Sequence, residues 1–316
     1  MKFRTRIVTA ITALAVTSAA LVGCSPSAPE PDVERTLTLA VSSDSLWGFV
    51  RADLGTQVHQ SAAYWKPLYD TIVKITPDLE IQPNLATEWS YNDDLTVLTL
   101  KLRDDVKFTD GTPVDAAAVK ANLDAFRNGG GGEASQSTGR ITDVAAPDAT
   151  TVVITLSGAD PSVLPGLAES AGAVFLPADL ENPDADKSVV PVGSGPYLLD
   201  EDNTTPGSVY TYVRNPDYWN SEAYPYDTLV LRPMPDVAAR MNALKAGEVD
   251  GAAVPAANAA DIEASGLTLN TGIANWAGLH ILDRNGEVVP ALADVKVRQA
   301  INMVFDRASI VKNVYQ

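Results

Sequence analysis

Few side chains in this chain have the types and spacing that catalysis or metal binding requires. The only histidines, His59 and His280, are far apart in the sequence, and two alone cannot make a multi-histidine metal site. Neither a zinc-protease histidine pair nor a phosphate-binding Gly-Lys motif occurs, and Ser194 lacks the glycine spacing of a nucleophile elbow. We therefore expect a protein that is not an enzyme and that holds no resident metal or cofactor.

The single cysteine, Cys24, has the setting of a lipid-modification site. Leu21-Val22-Gly23-Cys24 resembles the bacterial lipobox, in which small residues admit the signal peptidase and the cysteine sulfur accepts a diacylglyceryl group. A basic start and the apolar residues 7–22 precede it, which is the layout of a secretory signal. We expect residues 1–23 to be a signal peptide and Cys24 to be lipidated. The alternative is a cysteine that lies near the end of a signal peptide by coincidence.

The composition indicates an exported globular body with an acidic surface. The 316 residues are 46% hydrophobic, which is enough apolar material for two or more packed cores. Residues 24–34 are proline-rich and non-periodic, so we expect the lipidated cysteine and an extended tether there. Loss of Lys2, Arg4 and Arg6 with the leader takes the formal net charge from −17 to −20. Such a body repels polyphosphate, which disfavours nucleic acid as a partner.

The first elements of the folded body are predicted from hydrophobic spacing. Residues 36–41 predict a buried strand that delivers the polar loop Ser42-Ser43-Asp44-Ser45 to an edge or a cleft. Aromatic and apolar residues recur at helical spacing over residues 62–73, although Pro67 limits how regular that helix can be. The default interpretation is a helix that faces the core.

The middle of the chain predicts further strands around one helix. Residues 95–102 place Leu98, Leu100 and Leu102 on one strand face, and residues 150–156 return to a strand rich in threonine and valine. Between them, Thr112 is predicted to cap a helix whose first position is Pro113.

The last third of the chain is predicted to be mostly helical. Capping residues and terminal glycines delimit four helices: one that Asp236 begins and Gly247 ends, residues 256–264 with Gly266 as the stop, one that Asp294 begins, and one that Asp306 begins. Short strands are predicted at residues 267–270 and 279–282. The last helix has completed barely two turns where the sequence stops, so we expect a truncated protein.

Four groups of segments, taken together, resemble the bacterial extracellular solute-binding proteins of family 5, the oligopeptide-, dipeptide- and nickel-binding group. Each is weak alone, but they occur in the family's order over residues 36–315. The segments are Tyr69-Asp70-Thr71-Ile72-Val73 with Pro83-Asn84-Leu85-Ala86-Thr87-Glu88-Trp89; Leu100 to Val114; Gly193-Ser194-Gly195-Pro196-Tyr197 with Arg214-Asn215-Pro216-Asp217-Tyr218-Trp219 and Leu244 to Asp250; and Asp294 to Asn302 with Asp306-Arg307.

Most of these segments are expected to be scaffold. Gly111 and Gly195 suit turns that need unusual backbone angles, and Trp89, Phe108 and Trp219 are expected to anchor the core.

The resemblance implies an α/β fold with mixed strands and helices. It is the periplasmic-binding-protein-like two-lobe fold, with an inserted domain in the first lobe and an incomplete second lobe. Its mapping onto this sequence assigns residues 35–78 and 191–266 to the first lobe, residues 79–190 to the inserted domain, and residues 267–316 to the start of the second lobe.

The resemblance also indicates where a ligand would bind. In peptide-binding relatives the loop after the first strand offers backbone hydrogen bonds to an extended ligand, which identifies Ser43, Asp44, Ser45 and Trp47 as candidates. Trp276 follows the expected crossing between the lobes and could stack on a ligand. The alternatives are an ordinary surface turn, with Trp47 in the core, and a core position for Trp276.

The predicted function is capture of peptides by a lipid-anchored, monomeric receptor on the outer face of the cytoplasmic membrane, which delivers them to the permease of an ABC importer powered by separate ATPase subunits. Relatives carry a Phe-Asn pair where this chain has His280-Ile281-Leu282-Asp283-Arg284, so their substrates do not transfer directly. Alternatives are an oligosaccharide, a nickel chelate, which needs no histidine ligands, or a sensory lipoprotein that signals without transport.

Overall fold

The computed structural model of the chain describes residues 34–44, 62–128, 138–180, 191–270 and 281–314. Strands and helices are mixed along these segments, which confirms the predicted α/β class. The domain boundaries derived from the resemblance stay predictions. None of the described helices is long and apolar enough to cross a membrane.

A five-stranded sheet is built from the start of the body and from residues in its later part. The strands are β1 (Thr36–Val41), β8 (Tyr197–Thr205), β9 (Val209–Arg214), β10 (Thr228–Pro233) and β11 (Gly251–Ala252). Their order is β11-β1-β10-β9-β8, with β1 parallel to both β10 and β11 and the remaining pairs antiparallel. The predicted strand at residues 36–41 is confirmed, and it lies between two parallel neighbours.

The two faces of this sheet pack against different partners because side chains alternate along β1. Leu37, Leu39 and Val41 pack against an aromatic cluster that contains Tyr64, Trp65, Tyr69, Phe175, Tyr197, Tyr210 and Tyr212. Ala40, on the opposite face, packs with Ala243 and Val249. Both faces of the sheet are therefore covered.

A second, antiparallel sheet has the order β4-β5-β7-β6. Its strands are β4 (Ala86–Tyr91), β5 (Val97–Leu102), β6 (Ile141–Asp148) and β7 (Thr151–Leu156), and a separate hairpin pairs β2 (Val73–Ile75) with β3 (Ile81–Pro83). Leu98, Leu100 and Leu102 are buried on one face of β5, as their spacing predicted. Phe108 is buried in the same core, while Trp89 and Trp219 are partly buried against it.

The helix predicted to begin at Thr112 begins later. Helix α2 spans Ala116–Asn128, and the Asp115 carboxylate accepts a hydrogen bond from the Ala118 backbone N–H at 2.9 Å, so Asp115 is the cap. Thr112 instead donates its hydroxyl to Asp110, and Pro113 forms a β-bridge with Lys107. The prediction was wrong by three residues because residues 112–114 pair with residues 106–108 and stay extended.

The helix predicted over residues 62–73 is mostly absent. Helix α1 spans only Ala62–Trp65, and Val73 begins β2. The carbonyls of Pro67 and Leu68 accept hydrogen bonds from the backbone N–H groups of Tyr197 and Gly195 and not from a following helical turn. The apolar spacing correctly identified buried residues, but Pro67 and these long-range bonds end the helix.

The later helices agree better with their predicted boundaries. Helix α5 (Val237–Ala246) is capped by Asp236 and ends at Gly247, whose φ is 71°. Residues 267–270, predicted as a strand, have no regular structure. The remaining helices are α3 (Val163–Gly166), α4 (Pro177–Leu180), α6 (Ala259–Ala264), α7 (Val295–Val304) and α8 (Arg307–Val314), with 3-10 turns at Ser170–Gly172, Ser221–Ala223, Ala256–Asn258 and Pro290–Ala293.

Candidate functional site

The polar loops that follow the parallel strands meet at one edge of the five-stranded sheet. Strands β1, β10 and β11 run in the same direction, so residues 42–44, 234–236 and 253 all lie at their carboxyl ends. In open α/β sheets this edge is where ligands bind. The loop selected from the sequence, of which Ser43 and Asp44 are described, is therefore at the edge where a ligand is expected.

A buried arginine fixes this carboxyl edge. Arg240 of α5 is only 3% exposed; its Nε donates to the carbonyl of Ala253 at 2.8 Å, and its Nη1 donates to the carbonyls of Met234 and Pro235. The backbone N–H groups of Met234 and Ala253 in turn bond to the last residues of β1. Arg240 thus joins the loops on either side of the β1 end, and carbonyl dipoles stabilise its buried charge.

Two buried tyrosines, Tyr64 of α1 and Tyr210 of β9, hold the loop after β1. The Tyr64 hydroxyl donates to the Ser43 carbonyl at 2.6 Å, and the Tyr210 hydroxyl donates to Asp44 Oδ1 at 2.6 Å. The Gly207 N–H donates to the same Tyr210 oxygen at 3.1 Å. The two rings meet edge to face with their centroids 4.8 Å apart. The conformation of Ser43 and Asp44 is therefore set by side chains that are themselves packed in the core.

The electrostatics of these contacts keep both phenols protonated. Burial, together with the hydrogen bond to Asp44 and its charge, raises the pKa of Tyr210 to about 12. Burial and the Asp44 charge also raise the pKa of Tyr64 well above its usual value. Both side chains therefore remain hydrogen-bond donors over the physiological range of pH.

The other residues selected from the sequence cannot be placed at this edge. Ser45, Trp47 and Trp276 lie outside the described residues, as do Cys24 and the predicted signal peptide. Of the five candidate ligand contacts, the structure brings Ser43 and Asp44 to the carboxyl edge, and the other three stay predictions.

A second polar cluster surrounds a buried carboxylate that the sequence reading did not single out. Asp70 is 3% exposed and accepts four hydrogen bonds. Its Oδ1 accepts from Asn84 Nδ2 at 3.1 Å and from the Tyr218 hydroxyl at 3.0 Å, and its Oδ2 accepts from the Ser194 hydroxyl and from Trp219 Nε1, each at 3.3 Å. Four neutral donors thus replace the water that burial removes.

The Asp70 cluster joins segments that carried the family resemblance. Its members come from Tyr69-Asp70-Thr71, Pro83-Asn84-Leu85, Gly193-Ser194-Gly195 and Asp217-Tyr218-Trp219. Burial raises the pKa of Asp70, while the positive charge of Lys74 and the hydrogen bonds to Asn84, Tyr218 and Trp219 act in the opposite direction. The signature segments are therefore scaffold, as expected, and one carboxylate holds four of them together.

Asp70 and Arg240 were both missed by the sequence reading. Each is a charged residue inside an apolar or helical segment: Asp70 stands between Tyr69 and Ile72, and Arg240 stands in α5 next to the buried Met241. A charge at a position whose neighbours predict burial was the available signal.

No metal site emerges from the described residues, since no group of three or more His, Cys, Asp or Glu side chains among them could hold a metal ion. What the carboxyl edge offers is a fixed carboxylate, loop carbonyls and tyrosine hydroxyls. A polar edge of this kind can bind a polar solute.

This fold, with its polar edge at the ends of parallel strands, defines a ligand-binding protein of the periplasmic-binding type. The structure is similar to that of the PBP AgaA from A. tumefaciens R10 in complex with agropinic acid, with 26% identity and a TM-score of 0.66. The similarity covers 89% of this chain and 56% of AgaA.

The sequence identifies the family. The profile described as bacterial extracellular solute-binding proteins, family 5 Middle, matches residues 80–316. The chain therefore belongs to the family 5 solute-binding proteins of ABC transporters. The glutathione-binding protein GsiB of Escherichia coli K12 is 32% identical over 258 residues, which are 80% of this chain and 49% of GsiB.

A further relative is the probable peptide ABC transporter periplasmic-binding protein y4tO of Sinorhizobium fredii. It is 27% identical over 299 residues, which cover 89% of this chain and 54% of y4tO. The chain thus spans about half the length of the curated relatives it matches.

Proposed function

We propose that this protein captures peptides between two lobes and delivers them to the permease of an ABC importer, as a receptor tethered through Cys24 on the outer face of the cytoplasmic membrane. The observation that carries the proposal is the fixed loop at the carboxyl edge, Ser43 and Asp44, in a member of family 5. The chain binds its solute without transforming it.

A peptide fits this edge because an extended peptide can pair through its main chain with fixed backbone and polar groups of the binding protein. This pairing does not depend on the side chains of the peptide. The Tyr64 and Tyr210 bonds prearrange the loop, which reduces the entropy lost on binding. Two relatives support the choice: GsiB is named as a glutathione-binding protein, and y4tO as a probable peptide-binding one. Glutathione is itself a tripeptide.

Capture is proposed to work by a population shift. A solute that contacts both lobes favours the closed state by the free energy it gains there over the open state, and the permease then recognises the closed shape. The first-lobe contribution is the edge that Arg240 and Tyr210 hold rigid. Ser45, Trp47 and Trp276 are proposed as further contacts.

A second candidate solute is a small non-peptide acid. The similarity of the fold to AgaA, which was solved with agropinic acid, favours this alternative. It keeps the family and the transport role and changes only the solute.

Native mass spectrometry of the protein at its full natural length, purified without denaturation, tests the proposal. We expect a series of co-purifying, intact peptides. A single small non-peptide acid, sugar or metal chelate would overturn the peptide assignment, and cleavage products of one peptide would contradict binding without transformation. An empty protein would count against peptide capture at cellular concentrations.

The anchor has its own test. Cys24→Ser should release the protein from the membrane fraction, because the sulfur that accepts the lipid is gone. Ser27→Ala, in the adjacent tether, is the matched control and should remain membrane-bound. Membrane retention of the Cys24→Ser protein would contradict lipidation.

A further inference from the structure

Strand β6 is an edge strand of the second sheet, because it comes last in the order β4-β5-β7-β6 of the described strands. Backbone groups point alternately to the two sides of an antiparallel strand. Leu156 of β7 donates its N–H towards β5, so the odd-numbered residues of β7 face β6, where their partners include Asp143 and Ala145. The carbonyls of Thr142 and Val144 therefore point away from β7, to the side where a further strand would bond.

Two cations of helix α2 are bonded to these two carbonyls. Lys120 Nζ donates to the Val144 carbonyl at 2.7 Å, and Arg127 Nη1 donates to the Thr142 carbonyl at 2.6 Å. Lys120 and Arg127 are two helical turns apart in the sequence, so they project from the same side of α2. The acceptors that a further strand would need on β6 are thus already occupied by side chains of the same chain.

Asp124 holds both cations in this position. Its Oδ2 accepts from Lys120 Nζ at 2.6 Å, and its Oδ1 accepts from Arg127 Nη2 at 2.8 Å. The spacings are i, i+4 and i, i+3, at which side chains meet on a helix surface. Partly exposed ion pairs contribute little stability by themselves. The clearer result of the arrangement is geometric, since it directs two donors at the edge of the sheet.

The backbone of β6 adds two further obstacles to strand pairing. Pro147 lies within the strand and has no N–H to donate. The pairing with β7 shifts register between Ile141 and Asp143 and again between Ala145 and Asp148, so bulges interrupt both ends of the strand. Charged side chains, proline and bulges are the means by which natural sheets avoid edge-to-edge association. Three independent features of β6 therefore have the same effect.

We propose that Lys120 and Arg127, aligned by Asp124, block the β6 edge against strand pairing with a second copy of this chain. The blocked groups are the carbonyls of Thr142 and Val144. The consequence is a receptor that stays monomeric when it is concentrated, in agreement with the monomer predicted from the sequence. This inference does not depend on which solute the protein captures.

A double variant that uncovers both carbonyls tests the inference. Lys120→Ala with Arg127→Ala removes the two donors and makes an already acidic chain more negative by two charges, so general repulsion between copies increases. Sedimentation velocity of the full-length protein measures association, with Cys24→Ser in every variant to exclude a lipid and an intermolecular disulfide. The double variant should self-associate at a protein concentration at least about tenfold lower than the unaltered protein needs.

A matched control removes the same charge elsewhere. In Lys101→Ala with Lys245→Ala, the lost ammonium groups bond only to the side chains of Thr151 and Asp261, so the control should associate no more than the unaltered protein. Hydrogen exchange followed by mass spectrometry locates the contact. At concentrations where the double variant associates, the peptide that spans β6 should exchange more slowly, because a paired strand protects its outward amides.

Each outcome decides the inference. A double variant that is as monomeric as the control would overturn it, and so would association of both at the same concentration. Association without slower exchange in β6 would also overturn it, since the contact would then lie elsewhere. If the double variant does not fold, Lys120→Ala and Arg127→Ala decide singly: each should associate more readily than the control, and two monomeric single variants would overturn the inference.

Discussion

At the scale of single residues, two charged side chains, Asp70 and Arg240, are buried in the part of the chain that the structure describes. Asp70 accepts two donors on each carboxylate oxygen, and Arg240 is balanced by carbonyls. Neither forms an ion pair among the described residues, so each depends on the number and geometry of its hydrogen bonds. The fold should therefore tolerate loss of one of the four donors to Asp70 far better than loss of the Asp70 carboxylate that accepts from all of them.

Asp70→Asn should lower the free energy of unfolding by about 2 to 4 kcal/mol, because the new amide nitrogen would face two buried donors. Ser194→Ala removes one donor and should cost only about 1 kcal/mol. Urea denaturation followed by tryptophan fluorescence measures both. Equal, small losses in the two variants would show that the carboxylate is not the centre of the cluster.

The difference in the free energy of unfolding between the unaltered protein and Asp70→Asn should depend on pH, because burial raises the pKa of Asp70. A folded-state pKa above the unfolded value means that the contribution of Asp70 to stability is present at low pH and is lost as pH rises through the folded pKa. The stability difference between the unaltered protein and Asp70→Asn should therefore narrow as pH rises above about 4. A stability difference that widens as pH rises would show that burial is not the dominant cause of the pKa shift of Asp70.

At the scale of elements, residues 193–197 hold neighbouring segments together through backbone hydrogen bonds. The Gly195 N–H donates to Leu68, the Tyr197 N–H donates to Pro67, and the Gly193 carbonyl accepts from Thr109. Gly111 has the positive φ predicted for it, at 90°, but Gly195 is not among the described glycines with positive φ. Gly195 is required for a different reason, since a Cβ there would lie 2.6 Å from the Pro67 carbonyl oxygen.

Gly195→Ala should therefore destabilise the protein by about 2 to 3 kcal/mol through a clash with neighbouring backbone. Gly247→Ala is the matched control: its φ is 71° and no atom lies within 4 Å of the added Cβ, so it should cost about 1 kcal/mol from backbone strain alone. Thermal melts of both variants measure the difference. A milder effect at position 195 than at position 247 would refute the close-approach explanation.

At the scale of the whole molecule, side chains are packed unevenly along the chain. Both sheets have dense cores, whereas none of residues 281–313 is buried, and Leu282 and Met303 are 88% and 82% exposed. Helices α7 and α8 have local caps at Asp294 and Asp306, but apolar side chains such as Val304 and Val311 are exposed. Such helices gain little stability from packing, because burial of an apolar face is what usually stabilises a helix in a protein.

We therefore predict that the 316-residue chain opens first between residues 281 and 314. Limited proteolysis should cut there before it cuts either sheet, and amide exchange should be fastest in α7 and α8. A monomer that melts in a single cooperative transition, with α7 and α8 as protected as β5, would contradict this expectation.

Several features were readable from the sequence because they are local. The alternation of β1 and β5 and the cap of α5 depend on residues a few positions apart, and the family segments are stretches of consecutive residues. Local patterns failed at the helix expected over residues 62–73, where long-range bonds replaced local ones, and at the cap expected at Thr112, where pairing with residues 106–108 keeps residues 112–114 out of the helix. Ser43 and Asp44 could be selected from the resemblance, but their tyrosine partners could not.

The sequence by itself thus determined the fold class, the family and one loop of the candidate site. The tertiary structure alone decided what holds that loop, which carboxylate is buried and why Gly195 is a glycine. The physical reason is separation along the chain: Tyr210 lies 166 residues from Asp44, and Tyr218 lies 148 residues from Asp70. Hydrophobic periodicity and helix capping involve residues that are only a few positions apart. They cannot predict contacts between residues separated by more than a hundred positions, which form only when the chain folds into its sheets.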